Sequence, residues 1–315
     1  MDIQTDAGAA LHDDAPREIY EPPARRSQAI DRCSITETQH LIEDYILADL
    51  PVVIPDAAAH WPARQRWTPD FFRRHHGDVT TEIDGRRWTL AEYLDGMETA
   101  TADHPLPCPF SFDMRDGFAE RIADVQPQPR FGRIDRLGHP LMHGALLAGT
   151  RQHELFFGGS GSVFRRLHYD ALFLHGHITQ IRGDKEFFLY PPEQTSLMYP
   201  SRDNPKLSRI DDPADPDWCR FPLFAAARPY RTVLREGETI FFPAGWWHYT
   251  VVRGPCIAYG GVALTASNWP KFIADNVAYR RRDSARWKAE SLRLYGHLAG
   301  LAMRVHEGLA PRPWR

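Results

Sequence analysis

His168, Tyr169 and Asp170 stand in a row, and His248 closes the later run Pro243-Ala244-Gly245-Trp246-Trp247-His248. Two imidazoles and one carboxylate in that order form the donor set of a mononuclear non-haem Fe(II) site that keeps coordination positions open. Such a centre activates O₂, so these residue types point to oxygenase chemistry. The spacing has a physical reason. Side chains at i and i+2 of a strand leave the same face. His168 and Asp170 therefore reach one ion from one strand, with Tyr169 turned away, and His248 must arrive from a second strand or a strand-edge turn. The bare His-x-Asp pattern is weak by itself, because it recurs at His12/Asp14 and His76/Asp78. The first falls in a polar N-terminal stretch and the second in what reads as a helix end, and both are expected to be solvated.

Two further segments supply context. Gln180-Ile181-Arg182-Gly183-Asp184-Lys185-Glu186-Phe187-Phe188-Leu189-Tyr190-Pro191-Pro192 reads as a strand, a glycine-marked turn and a second strand ending at the prolines. A lysine pointing inward from such a strand is a buried charge that needs an anion, and a dicarboxylate co-substrate would provide one. The competing reading of Lys185 is a surface residue beside Asp184 and Glu186. Leu234-Arg235-Glu236-Gly237-Glu238-Thr239-Ile240-Phe241-Phe242-Pro243 reads as a turn leading into a short apolar strand, with the His248 strand next.

Together these segments resemble the JmjC-type cupins, Fe(II)/2-oxoglutarate-dependent hydroxylases similar to the asparaginyl hydroxylase of hypoxia-inducible factor. The resemblance also draws on Leu189-Tyr190-Pro191-Pro192-Glu193-Gln194, Arg220-Phe221-Pro222-Leu223-Phe224, Pro51-Val52-Val53-Ile54-Pro55, His60-Trp61-Pro62-Ala63, Trp67 and Leu155-Phe156-Phe157-Gly158-Gly159-Ser160-Gly161-Ser162, and spans roughly residues 30–270. It implies a mainly β fold with flanking helices: a double-stranded β-helix (cupin or jelly-roll) core, helical N-terminal decoration and C-terminal helices. It implies Fe(II) on His168, Asp170 and His248, with Lys185 pairing the distal carboxylate of 2-oxoglutarate. The implied reaction hydroxylates an unactivated C–H of a protein or peptide side chain, or of an amino-acid-like small molecule, with succinate and CO₂ as co-products.

Departures from the family pattern fall in the co-substrate pocket. The family's threonine three residues before the first metal histidine is Arg165 here. Its upstream tyrosine is replaced within Phe110-Ser111-Phe112. The strand after the metal motif, Leu172-Phe173-Leu174-His175-Gly176-His177-Ile178-Thr179, has no asparagine, and Ser267 and Asn268 only approximate a later one. Thr179, Ser162 and Arg165 are the candidate replacement donors. His175 and His177 share one strand face, either the outside of the barrel or the cleft lining. These changes support the alternative of a non-catalytic metal- or ligand-binding cupin with a diverged co-substrate pocket, while Lys185 opposes it. A histone demethylase fits less well, since no reader module or added zinc site is visible.

The elements around the site follow from local signals. Residues 1–28, rich in Ala, Asp, Pro and Arg, read as a flexible tail. Thr36-Glu37-Thr38-Gln39 and Thr89-Leu90-Ala91-Glu92 read as capping boxes, and Thr68-Pro69 as a helix start. The cupin-like domain is expected over 29–270, its metal-binding half over 155–270. Residues 271–315 read as helical, with Phe272, Ile273, Val277, Trp287, Leu292, Tyr295, Leu298, Leu301 and Val305 forming an apolar pattern that packs on the barrel or joins two copies in a homodimer. Arg280-Arg281-Arg282 reads as a solvated face. The segment from Tyr199 to Trp218 reads as a rim over the cleft.

Composition agrees. A chain of 315 residues can bury a sizeable core, and a net charge of −3 gives no basic footprint for nucleic acid. No membrane span or signal peptide is expected. Cys33, Cys108, Cys219 and Cys256 are dispersed, which together with Fe(II) fits a reducing, cytoplasmic setting.

Overall fold

The computed structural model describes residues 27–128, 134–147, 150–163, 167–283 and 286–309. Along the chain run β1 (Gln28–Ala29), α1 (Thr38–His40, continuing as a π-helical turn over Leu41–Ile46), β2 (Val52–Ile54), α2 (Ala63–Arg66), α3 (Pro69–His76), β3 (Thr80–Ile83), β4 (Arg86–Thr89) and α4 (Leu90–Thr99). Then follow β5 (Phe110–Asp113), β6 (His153–Gly158), β7 (His175–Arg182), β8 (Lys185–Tyr190), β9 (Tyr230–Leu234), β10 (Thr239–Phe242), β11 (Trp247–Val252), β12 (Cys256–Ala263), α5 (Trp269–Asp283) and α6 (Arg286–Leu309). Of the expected tail, all but Ser27 and Gln28 lies outside the described residues, and Gln28 already belongs to β1.

Two sheets build the core. One has the order β2-β10-β7-β12-β6-β5 and the other β1-β9-β8-β11, while β3 and β4 form a separate hairpin. Among the described residues, the strand pair β1 with β9 is parallel and the other strand pairs are antiparallel. The inner faces meet through Val53, Ile240 and Phe242 of one sheet and Phe187, Leu189 and Leu234 of the other. Alternation along β8 therefore turns Lys185 inward with Phe187 and Leu189, and Glu186 outward. Glu186 is fully buried and pairs with Arg231 and Arg253, which meets the charge that burial would otherwise strand. This is the mainly β sandwich with flanking helices that the resemblance implies.

Helices cover both ends. Behind the six-stranded sheet, Trp61, Trp67, Phe72 and Tyr93 pack on Phe110, Phe157 and Tyr259, each large side chain contributing about 1.5–3 kcal/mol by leaving water. The Thr68 hydroxyl accepts from Phe71 N–H at 3.1 Å, and Thr89 and Glu92 form the expected capping box. The first helix differs: it starts at Thr38, without a Thr36/Gln39 box. Asp56 takes hold of the segment ahead of it, accepting from the Ser34 hydroxyl at 2.5 Å and from Ile35 N–H at 2.7 Å. Phe272, Ile273, Val277 and Leu292 pack against Leu174 and Leu264 of the barrel. Trp287, Leu298, Leu301 and Val305 stay exposed. Among the described residues, no helix is long and apolar enough to cross a membrane.

Candidate metal centre

His168 lies directly opposite His248. His168 N–H donates to His248 O at 3.2 Å, and His248 N–H donates to His168 O at 2.7 Å. Directly opposed residues of antiparallel strands present their side chains on one face, so this reciprocal pair brings both imidazoles together, with ring centroids 4.3 Å apart. Asp170 follows two residues on. Its Oδ1 lies 3.8 Å from His168 Nε2 and 3.9 Å from His248 Nε2. One donor atom from each residue falls within 4.8 Å of the others, and no other group of three His, Cys, Asp or Glu does so among the described residues.

The surrounding backbone fixes these donors. Gly176 of β7 faces the site. A Cβ there would sit 2.3 Å from the Phe242 ring and 3.0 Å from Asp170 Oδ2, so the absent side chain makes room for the carboxylate. After Asp170 the chain turns through Leu172 and Phe173 with φ of 58° and 48°, a left-handed conformation that costs about 1–2 kcal/mol per residue. Two side chains hold this turn. Asp275 accepts from Leu172 N–H at 3.0 Å, and Asn268 Nδ2 donates to Phe173 O at 2.8 Å. The turn before His248 is held by His175, whose Nδ1 accepts from Ala244 N–H at 3.0 Å. The far nitrogen of His175 meets Thr265 Oγ1 at 3.1 Å.

Protonation follows from these contacts. His248 Nδ1 donates to Trp246 O at 3.1 Å, which leaves the Nε2 lone pair for the site. Burial pushes His248 down to about 4, so its imidazole is neutral at pH 7. Burial raises Asp170, with His168 opposing the shift. The neutral His248 nitrogen, the second imidazole of His168 and a carboxylate whose charge is poorly solvated fit a divalent cation, which would repay that desolvation.

The triad opens on a cavity of about 410 Å³ that also includes Lys185, Thr250, Ser111 and Glu154 in its wall. Lys185 is buried, its Nζ 5.4 Å from the Phe156 ring centroid, with no carboxylate partner among the described residues. Burial pushes the neighbouring Cys108 thiol up to about 11, with Lys185 pulling the other way.

A model of the cupin-like domain matches residues 38–260. The chain belongs to the cupin-like domain family. It is 26% identical over 240 residues to lysine-specific demethylase 8 of Xenopus tropicalis, covering 73% of this chain and 52% of the relative. It is 24% identical over 250 residues to the human bifunctional peptidase and (3S)-lysyl hydroxylase JMJD7, covering 70% and 78%. It is 25% identical over 232 residues to lysine-specific demethylase JMJ30 of Arabidopsis thaliana, covering 70% and 51%. The chain thus spans about half the length of the two demethylases.

Within this cupin-like fold the remaining candidates separate. Thr179 does not reach the cavity. It lies on the outer face of the six-stranded sheet, 2.7 Å from Thr239 Oγ1, because β7 gives its inner face to Gly176 and Ile178. Arg165 lies outside the described residues. Ser162 is buried, donates to Leu106 O at 3.0 Å and does not line the cavity. Asn268 serves the Phe173 turn rather than the cavity. In β5 the alternation sends Phe110 and Phe112 into the outer core and gives the cavity Ser111. His175 and His177 share the outer face as expected, though His177 borders the cavity while packing near Tyr259. His76 is buried beside Phe118 rather than solvated, because the helix end turns its ring into the aromatic core. Sequence reasoning missed Arg151 and Glu154, which line the same cavity. One signal was available: in β6, Glu154 is a lone charge on the strand face that Phe156 shares.

The expected rim at Tyr199–Trp218 does more than edge the cleft. Tyr169 N–H donates to Lys206 O at 3.1 Å, and Lys206 Nζ meets Asp275 at 2.5 Å. The segment braces both the strand that carries His168 and the turn behind Asp170. Of the basic run on α5, Arg281 pairs with Glu290 at 2.6 Å, in keeping with a solvated face.

Proposed function

We propose that this protein is an Fe(II)- and 2-oxoglutarate-dependent oxygenase that hydroxylates an unactivated C–H bond of a peptide side chain or an amino-acid-like small molecule. The observation that carries the reading is the convergence of His168, His248 and Asp170 on one cavity whose wall holds Lys185, a buried cation with no carboxylate partner among the described residues. His168, Asp170 and His248 would hold the iron. Fe(II) with 2-oxoglutarate supplies O₂ activation and C–H oxidation, leaving succinate and CO₂. The chain's own part is placement. The Trp246 carbonyl holds His248 in the metal-binding tautomer, Gly176 leaves room for Asp170, and Lys185 offers its charge to a distal carboxylate. The apolar stretch of Phe156, Ile178 and Phe242 in the cavity wall limits water around the reacting centre. The names of the relatives support an oxidative reaction at or near a lysine, as hydroxylation or demethylation. The likeness to asparaginyl hydroxylases rests on motifs alone.

The test is conversion of 2-oxoglutarate to succinate by the purified chain with Fe(II), ascorbate and air. The expected result is iron-dependent succinate that vanishes in Asp170→Ala. Equal succinate from that variant would remove the metal assignment. A protein that binds iron yet forms no succinate would favour a binding cupin, the reading to which the missing tyrosine at Ser111 lends weight.

A further inference from the structure

Opposite Lys185, on the six-stranded sheet, the cavity contains an ion pair that the metal chemistry does not use. Ser111 Oγ donates to Glu154 Oε1 at 2.8 Å, and Arg151 Nη1 donates to the same oxygen at 2.7 Å and to Ser111 Oγ at 3.2 Å. That oxygen is saturated. Glu154 Oε2, and Nε and Nη2 of Arg151, have no partner among the described residues. The Glu154 side chain is 23% exposed and that of Arg151 52%, so the pair runs from the cavity wall to its mouth.

We propose that Arg151 and Glu154 recognise a zwitterionic substrate, a free α-amino acid, its carboxylate on the open edge of the Arg151 guanidinium and its ammonium on Glu154 Oε2.

Three observations converge on this assignment. First, the pair lies in the cavity wall. Ser111, Arg151 and Glu154 all line it. Gly260, opposite Glu154 in the ladder between β6 and β12, lets the Phe156 ring lie close to the sheet beside them, since a Cβ there would sit 2.7 Å from that ring. Second, the open positions are of both kinds: Glu154 Oε2 accepts and Arg151 Nε and Nη2 donate, while Glu154 Oε1 is taken up within the pair. Burial works against the charge of Glu154, raising it despite Ser111 and Arg151, and an ammonium on its open oxygen offsets that cost. A ligand with one sign of charge would use only one of the two open edges. A zwitterion satisfies both, and an ionised donor or acceptor makes the stronger hydrogen bond. Third, a cavity of about 410 Å³ suits a small molecule beside a co-substrate. The inference rests on the oxygenase reading in giving Lys185 to the co-substrate.

The test is calorimetry on the full chain as purified, kept anaerobic, with each common L-amino acid, its N-acetyl form and its carboxamide. The expected result is binding of one free amino acid or a small group, weakened at least about ten-fold by either block, the loss of one charge-assisted bond. Glu154→Gln should erase the penalty for N-acetylation, and Arg151→Gln that for amidation, with circular dichroism unchanged. Discrimination by the unmodified chain carries the test if a variant does not fold. No binding of any free amino acid, equal binding of blocked forms, or tighter binding of a lysine-containing peptide would overturn the proposal. Succinate formed by a chain that binds no free amino acid sinks this inference alone. Free-over-blocked discrimination without succinate sinks the oxygenase reading and leaves the pair standing.

Discussion

Replacing His175 by asparagine separates its two jobs, and the outcome depends on pH. His175 is fully buried, and burial pushes it down from 6.5 to about 4. Asparagine places Oδ1 where Nδ1 accepts from Ala244, so the turn before His248 keeps its support. It gives up the contact with Thr265 and several ring atoms, at a cost of about 2–3 kcal/mol at pH 7. Acid then changes the comparison. A folded-state pKa below the unfolded value means that the unfolded chain binds the extra proton first. The native state therefore loses stability as pH falls through 6.5 towards 4. At pH 5 the unfolded histidine is almost fully charged while the buried one stays neutral, a penalty of about 2 kcal/mol that asparagine does not incur. The deficit of His175→Asn should thus shrink from about 2–3 kcal/mol at pH 7 to about 0–1 at pH 5. Urea unfolding of the metal-free protein at the two pH values measures it. A deficit unchanged within about 0.5 kcal/mol would refute the reasoning, because it would mean that His175 takes up its proton inside the fold.

Other expectations follow from the same geometry. Lys185→Ala should weaken 2-oxoglutarate binding about 10- to 100-fold with iron affinity retained; unchanged affinity in calorimetry would assign the anion to another cation. Gly176→Ala should displace Phe242 or Asp170 and lower metal affinity at least ten-fold, and a variant binding metal normally would show that the site yields more easily than a 2.3 Å separation from the Phe242 ring allows. On α6, Leu298 and Leu301 are 61% and 63% exposed, and we propose that this face joins two copies of the chain. Leu298→Glu with Leu301→Glu should convert dimer to monomer in sedimentation, whereas a monomeric unmodified chain would contradict the pairing.

The convergence of His168, Asp170 and His248 was legible because extended backbone alternates its side chains, which puts His168 and Asp170 on one side, and because an aromatic run delivers His248 opposite His168. Lys185 was legible through the turn at Gly183, whose φ of 66° and approach to Pro255 O exclude a side chain. Thr179 was misread because its facing depends on which side of β7 turns inward, and only the pairing with β10 and β12 settles that. The late asparagine misled for a similar reason: Asn268 has the right residue type but serves the strained Phe173 turn. Arg151 and Glu154 were only faintly legible: the lone charge of Glu154 hinted at them, but the cluster is completed by Ser111, which the pairing of β5 with β6 brings alongside at long sequence separation. The family was readable from motifs, whereas the branch was not: the named relatives are lysine demethylases and a lysyl hydroxylase.

The most direct test of the central claim is the visible spectrum of the metal-free protein under anaerobic conditions as Fe(II) and then 2-oxoglutarate are added. The account predicts a charge-transfer band that needs both additions and is lost in His168→Ala. Iron binding without that band, or a band that survives His168→Ala, would contradict it.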